Sequence, residues 1–248
     1  TKPIDEYREA LALGMETKPV LLGPISFLLL SKVRNQGNTP VHPAKGLQCL
    51  DRLLPVYEEV LSRLAKAGAN WIQFDEPCLA LDRTKEELAA FKRAYDRLAN
   101  ISDSLKIFLT TYFEGLRENT ATALSLPVDA VHIDLVRSPQ SLDDILIHGV
   151  PENMSLSLGI IDGRNVWRTD LYQALDTVRQ AVRALGSDRV MIAPSCSLLH
   201  VPLDVDQEDQ LNGEMKAWLA FAKQKLDELN ILKQAINEGE KSVARQLE

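Results

Sequence analysis

The stretch Ala67-Gly68-Ala69-Asn70-Trp71-Ile72-Gln73-Phe74-Asp75-Glu76-Pro77 shows the pattern on which the fold turns. Upstream, apolar residues recur at three- and four-residue steps over 47–67, the spacing of an amphipathic helix. Gly68 stops that helix, because glycine takes a left-handed conformation without a Cβ clash. Five residues then alternate, with Trp71, Gln73 and Asp75 on one side and Ile72 and Phe74 on the other, as a strand requires. Beyond Pro77 the helical period returns over 85–98.

The same alternation runs outward in both directions. Apolar, β-branched or aromatic runs bounded by Gly, Pro, Asn or Asp predict strands at 19–25, 71–75, 106–112, 130–136, 155–161 and 189–193. Helices are predicted at 47–67, 85–98, 171–185 and 207–236. Gly186 closes the third of these, and Pro55 implies a kink in the first or two helices in sequence. Residues 34–46, with Gly37, Pro40, Pro43 and Gly46, read as a plain connection or a lid. With no repeat, linker or charge block, residues 1–248 read as a single α/β domain with a parallel sheet.

Composition narrows the partners. Among 248 residues, 28 Lys and Arg face 35 Asp and Glu, a net charge of −7, which argues against nucleic acid, whose phosphates want a basic footprint. Residues 20–30 are the longest apolar stretch, broken by Gly23-Pro24 and Ser26 and far short of the roughly 20 residues of a membrane span. Cys49, Cys78 and Cys196 are odd in number and form no CxxC pair, so reduced thiols and a cytoplasmic location are expected. The chain starts at Thr1 with no secretory signal, and processing or truncation of the natural start is expected.

Polar residues gather where the predicted strands end: Asp75-Glu76-Pro77, Thr111-Tyr112 with Glu114 nearby, Asp134, Asp162-Gly163-Arg164 and Ser195-Cys196-Ser197. In parallel α/β folds ligands bind at that end. His132 and Asp134 share one side of a strand whose other side is Val131, Ile133 and Leu135, so polar groups face the interior and want partners or a ligand. Mutual satisfaction and helix capping account for the same residues equally well. His132, Asp134, Asp75 and Cys196 have the chemistry of metal ligands but no ligand spacing. Asp75 and Glu76 diverge along a strand and make a poor acid/base pair. Cys196 with His132 or His200 is a conceivable nucleophile pair, although an isolated Cys is more often inert. GxGxxG, GxxxxGK[ST], HExxH and GxSxG are all missing. Residue chemistry alone names no reaction.

Five motifs carry a resemblance: Lys18-Pro-Val-Leu-Leu-Gly-Pro-Ile25, Trp71-Ile-Gln-Phe-Asp-Glu-Pro77, Leu109-Thr-Thr-Tyr-Phe-Glu-Gly115, Gly159-Ile-Ile-Asp-Gly-Arg-Asn-Val-Trp-Arg168 and Ser195-Cys-Ser-Leu-Leu-His200. In order and over nearly the whole chain they resemble the N-terminal barrel of the cobalamin-independent methionine synthases. The resemblance implies two face-to-face (β/α)8 TIM-type barrels, with methyl transfer from 5-methyltetrahydrofolate polyglutamate to homocysteine in the C-terminal one. It implies that the six strands are the third to the eighth of the N-terminal barrel, and that residues 205–248 are its helical end leading toward the catalytic barrel.

Carried over from the catalytic half, the zinc positions fall at Leu109, Thr111, Asp134 and Cys196. Leucine cannot ligate, threonine is a poor ligand, and a tetrahedral zinc site needs at least three protein ligands. The resemblance therefore implies zinc in the C-terminal barrel and no cofactor in this segment. The acid histidine falls at Arg164, which keeps its proton, and the folate-facing tryptophan at Leu30. Asp75 matches the aspartate that holds the homocysteine amino group, and a second substrate-binding glutamate falls at Leu81. The implied role is a non-catalytic scaffold barrel whose substrate-side candidates are Asp75, Glu76, Tyr112, Glu114, Asp134, Arg164, Asn165, Cys196 and His200. Its partners are the catalytic barrel of the same enzyme, folate and homocysteine, with neither nucleic acid nor membrane. A separate small-molecule barrel enzyme and a stand-alone interaction module are the alternatives. The strands at 19–25 and 189–193 become sheet edges, which predicts that the isolated chain aggregates or dimerises, or that another piece of the same protein supplies the missing strands.

Overall fold

The computed structural model describes residues 2–32 and 43–247. Six parallel strands follow one another in the sheet in their chain order. The chain divides into two compact units, Thr1–His132 with Pro151–Met154 and Ile133–Val150 with Ser155–Glu248.

Unit 1 contains α1 (Lys2–Ala12), β1 (Val20–Leu22), α2 (Pro24–Leu30), α3 (Leu50–Lys66), β2 (Trp71–Asp75), α4 (Lys85–Leu98), β3 (Lys106–Thr110), α5 (Thr120–Ser125) and the start of β4 (Ala130–Asp134). Register lines up Leu22, Asp75, Thr110 and His132 across its strands. Phe74 points to the helices, its ring 5.9 Å from that of Tyr57 on α3 and 6.0 Å from that of Tyr95 on α4. Around it Ile72, Leu54, Leu61, Leu64 and Phe91 are fully buried, each contributing about 1.5–3 kcal/mol of hydrophobic stabilisation. At α4, Thr84 Oγ1 accepts from Glu87 N–H and Glu87 Oε2 from Thr84 N–H, a reciprocal capping box.

Unit 2 holds the rest of β4, then α6 (Ser141–His148), β5 (Ser155–Ile161), α7 (Leu171–Leu185), β6 (Val190–Pro194), α8 (Gly213–Ala217), α9 (Ala222–Glu238) and α10 (Ala244–Leu247). Leu156, Leu158, Ile161, Leu175, Ala181 and Leu232 form its core. Asp170 caps α7 by accepting from Gln173 N–H.

Several predicted boundaries move, each for a local reason. The strand at 19–25 shortens to Val20–Leu22 because Pro24 opens α2, where the missing proline N–H costs nothing. The strand at 106–112 ends at Thr110, since Thr111 turns its N–H and hydroxyl onto the His132 carbonyl. That at 130–136 ends at Asp134, whose carboxylate accepts the Val136 and Arg137 N–H groups and turns the chain. The strand expected at 189–193 runs 190–194. Pro55 lies inside one continuous helix that starts at Leu50, after a 3₁₀ segment at Pro43–Cys49. The helix expected at 207–236 breaks in two at 218–221, where Trp218 C=O and Ala220 N–H bond to the backbone of Arg168 and Val166. Residues 34–42 of the predicted connection lie outside the described residues. Among the described residues no helix is long and apolar enough to cross a membrane.

Candidate functional site

In unit 1, strand alternation and parallel register build one polar face in layers. Trp71 and Lys106 form the lowest row, Gln73, Phe108 and Ala130 the middle, and Asp75, Thr110 and His132 the top, at the strand ends. Phe108 is the hub. The rings of Trp71 and His132 stand edge-on to it, at 6.3 Å and 6.4 Å between centroids, and the Lys18 ammonium lies 3.6 Å from its centroid. Desolvation pushes Lys18 down to about 8, against the pull of Asp75. Asp75 Oδ1 accepts from Gln73 Nε2 at 2.7 Å and Oδ2 from the Tyr112 hydroxyl at 3.3 Å. Burial pushes its carboxyl above the usual range, while those two hydrogen bonds and Lys18 pull it back.

Glu76, one residue on, lies on the opposite side and is completely buried. Its carboxylate accepts from Ile25 N–H (3.2 Å), Ser26 N–H (2.7 Å) and the Tyr95 hydroxyl (3.1 Å), which caps the first turn of α2. Burial pushes it up to about 7 against these donors. Gly23 sits so close that a Cβ there would stand 2.1 Å from Glu76 Oε1. Glu114 pairs with Arg117 at 3.0 Å. Between Tyr112 and Arg117 the backbone is forced: Phe113 has φ +77° and Arg117 φ +49°, positive values that bulky side chains rarely adopt.

Unit 2 carries the other candidates on the loops after its strands. Asp162 Oδ1 accepts from Arg164 N–H at 2.7 Å and Oδ2 from Asn165 Nδ2 at 2.9 Å, so Arg164 and Asn165 are presented on one Asp-nucleated turn. Gly163 N–H donates to Ser195 Oγ, and a Cβ at Gly163 would lie 2.9 Å from Cys196 Sγ. Cys196 is buried; desolvation chiefly, then Asp134 and Asp162, hold its thiol above its ordinary value, so it is no ready nucleophile. Asp134 is buried, whereas Arg164 and His200 are exposed. The fully buried Lys225 of α9 donates to Asn165 Oδ1 (3.3 Å) and to the Trp167 carbonyl (3.1 Å). Glu228, one turn on, takes both the N–H and the hydroxyl of Thr169. Burial pushes Lys225 below its ordinary range.

Four functional-looking residues escaped the sequence reading: Lys18, Thr110, Lys225 and Glu228. Parity held the signal for the first, since residues 18, 20 and 22 alternate onto the face that register joins to Gln73 and Asp75. Lys225 and Glu228 stand one turn apart on a helix, which reads as ordinary solvated charge. Among the described residues no group of three or more His, Cys, Asp and Glu is placed to hold a metal ion.

Comparison with known proteins bears on this geometry. Over all 248 residues the chain is 52% identical to a protein of Caulobacter vibrioides named 5-methyltetrahydropteroyltriglutamate--homocysteine methyltransferase, covering 31% of its length. A protein of the same name from Salinibacter ruber is 53% identical over 92% of this chain and 29% of its own. The chain thus spans about a third of the length of the curated relatives it matches. A solved B12-independent methionine synthase from Shewanella sp. W3-18-1, in complex with selenomethionine, superposes with a TM-score of 0.64 over 98% of this chain and 67% of that one. At 14% identity that likeness shows the fold alone, α/β of the TIM-barrel type. Residues 1–186 match the sequence model of the cobalamin-independent synthases, N-terminal domain, and to that family this chain belongs.

Proposed function

We propose that this chain is the non-catalytic, folate-side half of an enzyme that moves a methyl group from 5-methyltetrahydrofolate polyglutamate to homocysteine. In this reading the zinc and the chemistry belong to a C-terminal barrel, the partner of this one. Residues 1–248 then act as one barrel domain, with 205–248 leading toward that partner. The proposed substrate-side residues are Asp75, Glu76, Tyr112 and Glu114 in unit 1 and Asp134, Arg164, Asn165, Cys196 and His200 in unit 2. Three free thiols, Cys49, Cys78 and Cys196, accord with a cytoplasmic setting.

The observation that carries the reading is the state of the carried-over ligand positions. Leu109 is fully buried and has no donor atom. The Thr111 hydroxyl donates to the His132 carbonyl at 2.8 Å and is itself buried. Leu109 cannot bind a metal and Thr111 is a poor ligand, which leaves two good donors where a tetrahedral zinc site needs at least three. Zinc content and homocysteine methylation test this, measured on the chain alone and after mixing with a separately made catalytic half. The expected result is neither zinc nor turnover alone, with turnover or folate affinity raised in the mixture. Stoichiometric zinc or methylation by the chain alone overturns the reading.

A further inference from the structure

We propose that the paired segments 166–168 and 218–220 of unit 2 form a docking fin that inserts between apolar side chains of the C-terminal part carried by the longer relatives. The inference rests on the two-part reading above and adds to it the contact through which this chain meets its partner.

Exposure supplies the first reason. Two of the three tryptophans of the sequence, Trp167 and Trp218, stand on these segments 57% and 58% exposed. Tryptophan has more apolar surface to hide than any other side chain, and exposed apolar residues that are ordinary singly mark an interaction surface when grouped. The group extends to the exposed Met215, three residues before Trp218. It extends also to the exposed Leu203, whose carbonyl accepts from Lys223 N–H at 3.0 Å just beyond the second segment.

A fixed backbone supplies the second. Arg168 N–H donates to the Trp218 carbonyl at 3.0 Å and Ala220 N–H to the Val166 carbonyl at 2.8 Å, with Trp167 and Leu219 paired between them as an antiparallel bridge. Side chains alternate across such a pair, so Trp167 emerges on one face and Trp218 on the other. Trp167 N–H donates to Asn165 Oδ1 at 3.1 Å, and its carbonyl accepts from the buried Lys225 ammonium. Enclosing an ammonium is costly, and the backbone that this one holds displays a tryptophan to solvent. A partner meets both rings already in place, without the ordering cost that weakens binding by a loose loop.

Length names the occupant. The chain matches an N-terminal domain and spans about a third of its relatives, so most of a relative's length lies outside the matched region. Parts of one polypeptide meet at effective concentrations of about millimolar, where a contact centred on two tryptophans holds. With one ring on each face, the fin fits a cleft and not a flat surface.

Hydroxyl-radical footprinting, read residue by residue by mass spectrometry, tests the proposal on this chain and on the full-length protein. Trp167 and Trp218 are expected to oxidise at least about fivefold more slowly in the full-length protein. There, Trp167→Ser together with Trp218→Ser should lower turnover about tenfold with unchanged circular dichroism, while Ile147→Ser, at an exposed position on α6 of the same unit, leaves it unchanged. The proposal is overturned by equal oxidation in both proteins or by a double variant as active as Ile147→Ser. It is overturned also by protection that appears in this chain alone as its concentration is raised, which assigns the fin to a second copy. Protection of both tryptophans in a full-length protein whose zinc sits in this half supports the fin and overturns only the non-catalytic reading, so the two fail separately.

Discussion

Asp75 and Glu76 are neighbours in the chain and opposites in circumstance. Burial raises both carboxyls, yet Glu76 is wholly enclosed and receives two backbone N–H groups and a tyrosine hydroxyl, whereas Asp75 is partly open and receives two side-chain donors. A carboxylate that the fold surrounds with donors belongs to the architecture. Asp75, held by two side chains at a partly open strand end, takes no part in capping a helix and keeps acceptor capacity unused.

The sharpest way to break the contrast is Glu76→Ala. It strands the Ile25 and Ser26 N–H groups and the Tyr95 hydroxyl in a buried pocket, so unfolding free energy should drop by about 4 kcal/mol in a urea or guanidinium titration. A loss under about 1 kcal/mol would mean the cap is dispensable.

Next in size is a pH effect. Folding lifts Glu76 from 4.5 to about 7, so between those values the folded state binds the proton that the unfolded chain releases. Its contribution to stability is therefore full below about pH 4.5 and falls as pH rises toward 7, by about 3 kcal/mol. Glu76→Gln should flatten that part of the stability–pH curve, and an unchanged slope would assign it to other groups.

The smallest effect expected is that of Asp75→Asn. It keeps the shape, disturbs two side-chain hydrogen bonds on a partly open face, and should cost less than about 1 kcal/mol by the same titration. A loss as large as that of Glu76→Ala would erase the distinction between the two carboxylates.

Wherever local chemistry suffices, the sequence is legible. The strands 71–75 and 155–161 and the helices 85–98 and 171–185 run as their periodicity predicts, because Thr84 with Glu87, Asp170 and Gly186 mark ends within a few residues of themselves. Where the deciding partner is remote, legibility fails. Nothing near Pro24 says that a carboxylate some fifty residues away caps its helix. Nothing near Trp218 says that residues 166–168 claim its backbone. Of the candidate site, the strand-end carboxylates and Tyr112 are visible because they stop strands. Lys18 and Thr110 are not, because their meaning lies in which strand lies beside which.

Lys225 gives the second unit a mechanical property. A fully enclosed ammonium on α9 grips the backbone at Trp167 and the side chain of Asn165, while Glu228 grips Thr169 one turn further on. Two anchors a helical turn apart resist both sliding and rotation. The segment that follows Arg164 is thus tied to α9 at Asn165, Trp167 and Thr169, so a shift of the helix pulls on that segment directly.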